Sequence, residues 1–417
     1  MTIIAFSRLT GRSVLGARDY DVVIFGATGF VGKLLCEYFR DHVKDRVSWA
    51  IAGRSLDKLK ALSEALSLDA GIIIADSRDD TSLLSMAART RVVLTTVGPY
   101  LRYGEPLVKA CIEQETHYCD LTGEVPFIYN MIAKYHHSAA EQSVKIVHCC
   151  GFDSIPSDIG ALVLQNYLKS ETGDYAEKLE YVLSSASGSL SRGTLESLMD
   201  VVSLAGKDPD VRRYLRNANC LTELGEIRGR DQMSVKFHKG LDRWTAPFLM
   251  ETVNTRIVRR SHFLMGCPYS SEFEYTETAQ MPRGAKGFLA GQGLRLFMGT
   301  LVAASLSKPS RKAISLLMPD VGEGPSRKSI EKGFFHVEIL AYRKKTDTDA
   351  MAAVTFKGFK DPGYGATAIM QAEAAIVLSS SHESQRYGVG TPAAMIGTEL
   401  ADALVEQGFV IKPRMIR

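Results

Sequence analysis

Seven cysteines in 417 residues include no C-x-x-C pair and no spacing that a zinc ligand set uses, so no metal site is expected. Their odd number, and the adjacency of Cys149 and Cys150, argue against a disulfide framework. Buried free thiols in a reducing compartment are the expectation. Charge of one sign is also missing: 50 Lys and Arg against 47 Asp and Glu leave a net charge of +3, which excludes a nucleic-acid partner. Short basic clusters such as Arg256-Ile-Val-Arg259-Arg260 are expected on a solvated surface. An unbroken apolar run of membrane-spanning length is lacking as well. Residues 287–306 come nearest, but Gln292, Arg295 and several glycines interrupt them, so a core helix is expected, with a segment lying in a lipid interface as the alternative. The first eighteen residues carry Arg8 and Arg12 without an acid and are too weakly apolar for a secretory signal. A flexible leader over 1–19 is expected, with a mitochondrial presequence as the alternative.

What is present is globular: 45% hydrophobic and 23% charged residues, in a chain long enough for two or three domains. The stretch that organises it begins at Asp21. Val22 to Phe25 form a short apolar run of the kind a strand buried on both faces shows, and glycines follow at 26, 29 and 32. Leu34, Leu35, Tyr38 and Phe39 then recur at helical spacing. Strand, glycine turn and helix are the setting of a dinucleotide-binding fingerprint, here spaced G-x-x-G-x-x-G. Gly26, Thr28, Gly29, Phe30, Val31 and Gly32 would bring backbone against a pyrophosphate at the helix N-terminus.

A second strand ends in Gly53-Arg54-Ser55, with Lys58 one turn into the next helix. No Asp or Glu stands where an NAD site would hold the ribose hydroxyls. Arg54, Ser55 and Lys58 could instead hold a 2′-phosphate, which favours NADPH over NADH. Asp76, at the end of the third strand, is expected near the adenine or as a helix cap. Val97, Gly98, Pro99 and Tyr100 follow the fourth strand and should border the nicotinamide, because ligands of open parallel sheets bind outside the carboxyl ends of the strands. Strands and helices alternate over 20–168, which specifies a Rossmann-type doubly wound parallel sheet.

From 169 to 360 the pattern changes to an α+β domain on a mixed or antiparallel sheet, serving substrate binding or dimerisation. Strands are expected at 179–187, 257–265, 271–277, 334–343 and 352–358, and helices at 194–204 and 294–312. Residues 361–417 are expected to fold back on the first domain as helices over 364–378 and from Pro392 to Val405, the second capped by Thr391.

Three side chains at strand carboxyl ends are candidates for catalysis. Tyr100 would be a proton donor or would pack against the cofactor ring. Asp120 would orient a substrate group or close the sheet end by hydrogen bonds. Asp153 would give or take a proton or, like Ser154, cap a helix. His148 is expected to be a satisfied core histidine.

Several motifs occur together in order: Gly26-Ala-Thr-Gly-Phe-Val-Gly32, Ala52-Gly-Arg-Ser55, Val97-Gly-Pro-Tyr100, Tyr103-Gly-Glu-Pro106 and Gly151-Phe-Asp-Ser-Ile-Pro-Ser-Asp158. With Gly363-Tyr-Gly-Ala-Thr-Ala368 and Gly390-Thr-Pro-Ala393, the chain resembles the saccharopine dehydrogenase-like oxidoreductases, the group that includes the trans-acting enoyl reductases. The resemblance implies a nicotinamide cofactor and reduction of an enoyl group in a small-molecule or carrier-bound lipid- or polyketide-type substrate. Saccharopine-type imine reduction and NADPH binding without turnover at a lipid surface are the alternatives. The resemblance leaves open a homodimer, and a cytoplasmic location with peripheral contact to a membrane or lipid droplet through 287–306.

Overall fold

The computed structural model describes residues 18–43, 46–189, 191–225, 231–270, 273–318, 323–380 and 384–416. The leader expected over 1–19 lies outside them except for its last two residues. Arg18 donates to the carbonyls of Ala88 and Gln114, both at 2.5 Å, and Asp19 pairs with Arg89 at 2.7 Å.

The first domain alternates strand and helix: β1 (Tyr20–Phe25), α1 (Phe30–His42), β2 (Trp49–Gly53), α2 (Leu56–Leu66), β3 (Gly71–Ile74), α3 (Asp80–Ala87), β4 (Thr90–Thr95), α4 (Tyr100–Glu113), β5 (His117–Cys119), α5 (Val125–Glu141), β6 (Lys145–Val147) and α6 (Ile155–Thr172). The second holds β7 (Lys178–Ser187), α7 (Arg192–Lys207), α8 (Pro209–Leu215), β8 (Lys236–His238), β9 (Arg243–Pro247), α9 (Glu251–Leu264), β10 (Glu274–Gln280), α10 (Gly284–Ser305), α11 (Lys308–Leu317), α12 (Arg327–Lys332), β11 (Phe334–Tyr342) and β12 (Ala352–Gly358). The chain closes with α13 (Thr367–Ser379), β13 (Gly388–Gly390), α14 (Pro392–Met395), α15 (Thr398–Glu406) and β14 (Val410–Met415).

One seven-stranded parallel sheet has the order β13-β6-β5-β4-β1-β2-β3. Val22 to Phe25 are fully or almost fully buried because β1 lies between β2 and β4 with helices on both faces. Chain order reverses between β1 and β4, which makes the space beyond their carboxyl ends the switch point where such sheets take ligands. The second sheet, β14-β12-β11-β7-β10-β9-β8, is mixed: β7 and β10 run parallel and the remaining pairs antiparallel. One hydrophobic core runs from Val22 and Leu35 through α6 to Ile339 and Phe356, so the two domains share their interior.

The final segment serves both sheets. Helix α13 returns to α1 and β4, β13 extends the parallel sheet beside β6, and β14 extends the mixed sheet beside β12. Neither short strand shows in the sequence pattern. Glu373 of α13 is enclosed and accepts from Tyr38 Oη at 2.5 Å and from two guanidinium nitrogens of Arg46 at 2.8 Å each. Glu373→Ala leaves the buried Tyr38 hydroxyl and one face of Arg46 without their acceptor. It is expected to lower unfolding free energy in urea by about 2–3 kcal/mol, less than a fully buried pair because Arg46 is partly exposed. An unchanged midpoint would show that this tether contributes nothing.

Four expectations are corrected here. Residues 257–265 are not a strand but most of helix α9. Arg256, Arg259 and Arg260 on that helix are buried, not solvated. Arg256 pairs with Asp231 and donates to the Leu215 carbonyl, Arg259 donates to Phe273, and Arg260 donates to Leu221 and Val389. These bonds offset the cost of enclosing the guanidinium groups. Helix α10 is not a core helix either: only Gly287, Gly291 and Ser305 are buried along it. The strand expected at 271–277 is β10, displaced to Glu274–Gln280, with 271 and 272 outside the described residues.

Candidate active site

The glycine turn is built as a phosphate cradle. Gly26 has φ +92°, and a Cβ there would lie 2.6 Å from Thr96 Oγ1, so glycine is required. A Cβ at Gly32 would lie 2.2 Å from the Gly26 carbonyl oxygen, so this third glycine sets how closely α1 packs on β1. Gly29 is the α1 N-cap, in extended conformation, and the first turn of α1 has neither a side-chain cap nor an acidic residue. Its unpaired N–H groups and positive dipole end face the switch point. Helix α4, at the same end of the sheet, differs: Glu124 accepts from the backbone N–H groups of Tyr100 and Leu101 at 2.9 and 2.7 Å and closes it. Of the two helix starts flanking the switch point, α1 is the one open to an anion. Thr28 and Val31 lie in this turn partly exposed, and the Phe30 ring packs edge-on to Tyr364 at 5.1 Å.

At the end of β2, Arg54 and Lys58 are exposed and make no ion pair among the described residues. Ser55 caps α2 by accepting from Lys58 N. Asp76 caps nothing; its carboxylate holds Arg78, whose hydrogen bonds keep it below the usual carboxylate range, and Asp79 caps α3 instead. Across the switch point, Val97 and Pro99 are partly exposed and Gly98 exposed, after β4.

Of the three candidates for chemistry, the structure turns two inward. Tyr100 is 5% exposed and its hydroxyl donates to the Thr95 carbonyl at 3.2 Å, with Phe127 against the ring. Burial holds that phenol well above its ordinary pKa and therefore protonated, and its enclosure and its bond to Thr95 turn the hydroxyl away from a substrate. Asp120 is fully enclosed and has both oxygens used: Tyr118 Oη and His148 Nδ1 on one, the backbone N–H groups of Thr122 and Cys149 on the other. It ties the carboxyl ends of β5 and β6 together. His148 is correspondingly buried, with Nδ1 bonded to Asp120 and Nε2 without a partner among the described residues.

The loop after β6 is where distant motifs meet. Thr367 Oγ1 accepts from Phe152 N at 3.0 Å. Asp158 accepts from Ser261 Oγ and from Ala393 N at 2.8 Å, and Ser261 is bonded to Thr391. The Gly151–Asp158 run is thus gripped by both carboxyl-terminal motifs, and burial pushes the Asp158 carboxyl up to about 7. Thr391 does not cap α14 with its side chain; Asp158 reaches that helix start from α6. Neither Asp153 nor Ser154 caps α6. Ser154 donates to Asn254 Oδ1 at 2.7 Å, and Asn254 Nδ2 donates to Glu277 at 2.9 Å, which also holds Tyr275 Oη at 2.7 Å. Asp153 remains partly exposed, without a hydrogen bond among the described residues, and its carboxyl is pushed up to about 6 by burial. Its charge, after burial and that of Glu277, helps to hold the Tyr181 phenol of β7 above its ordinary pKa.

Asn254, Tyr275 and Glu277 escaped the sequence reading. The signal was present: Tyr275 and Glu277 alternate on one face of a strand whose inner face is buried, and an acid on a buried face needs partners. The second domain is tied to the first by Ser197 of α7, which donates to Glu124 at 2.6 Å, and by the Arg102–Asp200 pair at 2.6 Å.

Residues 22–147 match the family model described as the saccharopine dehydrogenase NADP binding domain. A Mycobacterium tuberculosis protein, provisionally named a trans-acting enoyl reductase, is 37% identical over 95% of this chain and 97% of its own. A Mycobacterium bovis protein named trans-acting enoyl reductase is 34% identical, covering 94% and 97%. Among solved structures, apo saccharopine dehydrogenase (L-Glu forming) from Saccharomyces cerevisiae covers 95% of this chain and 100% of its own with a TM-score of 0.52, a likeness of fold at 14% identity. Relatives this similar over nearly the whole length place the chain in the saccharopine dehydrogenase-like family of NAD(P)-dependent oxidoreductases, beside the trans-acting enoyl reductases.

Proposed function

We propose that the protein is an NADPH-dependent reductase of an enoyl C=C in a lipid- or polyketide-type substrate. The observation that carries the cofactor preference is the end of β2, where Arg54 and Lys58 stand exposed with no ion pair among the described residues and no acid replaces them. The relatives' names supply the reaction class. The uncapped α1 start would hold the pyrophosphate, and Arg54, Ser55 and Lys58 would hold the 2′-phosphate. The chemistry that NADPH would supply there is a hydride for the β-carbon of the enoyl group. The protein's part is to place that carbon beside Val97–Pro99, exclude water by closure of the second domain, and deliver a proton from Asp153 to the α-carbon or the developing enolate oxygen.

The test is a titration with NADPH and NADH followed by turnover of enoyl thioesters. NADPH is expected to bind more tightly, and Arg54→Ala to narrow the gap by about tenfold, the worth of one charge-assisted contact. NADPH oxidation should follow with an enoyl thioester and not with a saccharopine-type imine. Binding of neither nucleotide would sink the proposal, and tight binding without oxidation on any enoyl substrate would favour a non-catalytic role.

A further inference from the structure

Helix α10 combines features that a folded interior does not require. It is 22 residues long, has the length and apolar composition of a membrane-crossing helix, and has 11% of its most apolar window buried. It meets the domain along one narrow edge: a Cβ at Gly287 would strike the Pro282 carbonyl, and one at Gly291 would crowd Val235. The remaining circumference carries Leu289, Leu296, Phe297 and Val302 outward, 67%, 69%, 59% and 42% exposed, with Leu306 and Leu316 continuing the apolar surface into α11 at 58% and 78%. Exposed apolar area of this extent on one element marks a docking surface.

The charge on the same stretch identifies the occupant. From Met281 to Met318 there is no acidic residue, while Arg283, Lys286, Arg295, Lys308, Arg311 and Lys312 are basic. This stretch more than accounts for the positive balance of the whole chain, so the remainder is net acidic. Lys308, Arg311 and Lys312 line a cavity of about 360 Å³ between α11 and α7 together with Arg102 and the acids Glu196 and Asp200 of α7, so four bases face two acids there, and Arg311 Nε is enclosed without a hydrogen bond among the described residues. A second copy of the chain seated face to face would oppose like charges. An anionic surface with an apolar interior matches both properties.

We propose that α10 and α11 form an interfacial docking surface for an anionic phospholipid bilayer, with α10 lying in the plane of the membrane and the α11 bases on the headgroup phosphates. Arg295, in the middle of α10, donates to the Met233 carbonyl and the helix keeps its packing on β9, which is the geometry of a helix that rests on a bilayer and does not cross it. The surface is independent of the hydride chemistry. A substrate with a long acyl chain would reach the enzyme from the same membrane.

The test is co-sedimentation of the full chain with vesicles of phosphatidylcholine containing phosphatidylglycerol, against pure phosphatidylcholine. Binding is expected on the anionic vesicles, about tenfold weaker or more on the neutral ones, and weakened again by about 0.5 M salt. Leu296→Glu with Phe297→Glu, and separately Lys308→Glu with Lys312→Glu, should each cut binding about tenfold or more without moving the thermal midpoint. Should either double variant unfold, the lipid and salt dependence of the unmodified chain decides the matter. Absence of sedimentation with anionic vesicles, or equal sedimentation with both kinds, would overturn the proposal. So would a lipid-free dimer that Leu296→Glu with Phe297→Glu dissociates, because the face would then be a protein interface.

Discussion

Gly29→Asp is expected to raise the dissociation constant for NADPH about a hundredfold or more while leaving the fold as stable as before. The two halves of that expectation come from different features of one residue. Gly29 has φ −74° and ψ 168°, an extended conformation open to any side chain, and an added Cβ meets only the Gly26 carbonyl oxygen at 3.2 Å. Aspartate is moreover a favoured N-cap, and its carboxylate would accept from the first-turn N–H groups of α1 that now lack a side-chain cap. Those are the donors a pyrophosphate needs. The substitution fills the anion site with a fixed anion and sets two like charges against each other at contact distance. Isothermal titration and thermal unfolding on the same preparation separate the effects. Gly32→Ala is the contrasting change, because its Cβ would lie 2.2 Å from backbone and must push α1 off β1, so it should lose stability together with binding. Undiminished NADPH binding in Gly29→Asp would mean that the pyrophosphate does not lie at this helix start.

The contrast between these two glycines shows how much the sequence discloses. Glycine spacing after an apolar run specifies a strand–turn–helix because a parallel strand covered on both faces has few other patterns to choose from. The same holds for most of β1 through α6, which alternate as the composition dictates. Helix α9 was illegible for a physical reason: its arginines sit among apolar positions where an amphipathic helix would place none, and they are buried only because carbonyls of Leu215, Leu221, Phe273 and Val389 happen to be within reach. No local pattern encodes a carbonyl from another segment. Helix α10 misled in the opposite direction, since apolar composition implies burial only where something is available to cover it. In the candidate site the positions of Tyr100, Asp120 and Asp153 at strand carboxyl ends were legible, but the direction of each side chain was not. That direction depends on partners contributed from afar: Thr95 for Tyr100, Tyr118 and His148 for Asp120, and no described residue for Asp153.

Asp153→Asn is expected to lower kcat for enoyl reduction by about 10²–10⁴-fold, the usual contribution of a positioned general acid, with NADPH affinity within about twofold of the unmodified enzyme. The side chain is near isosteric, and Asp153 makes no hydrogen bond among the described residues that the amide would break, so the loss reports proton delivery and not folding. The pH dependence gives the sign. Burial favours the neutral carboxyl and holds Asp153 at about 6, above its ordinary value, so more of it is protonated near neutrality than of an exposed aspartate. A general acid must carry its proton when the hydride arrives. The rate should therefore be full below about pH 6 and fall toward tenfold for each further pH unit, and Asp153→Asn should abolish that limb. Glu277 and Glu251, pushed by burial to about 7 and about 8, lie in the hydrogen-bonded network that begins at Ser154, but they are enclosed within the second domain, where their raised values make the fold lose stability as pH rises from the ordinary carboxylate range toward 7 and 8. Glu277→Gln should accordingly leave the activity limb in place. Tyr100→Phe provides the discriminating control: its hydroxyl already serves the Thr95 carbonyl inside the sheet, so removal should cost about 1 kcal/mol of stability and change kcat less than about threefold. A collapse of kcat in Tyr100→Phe with Asp153→Asn nearly unaffected would return the proton to the tyrosine and require the loop after β4 to open before the chemical step.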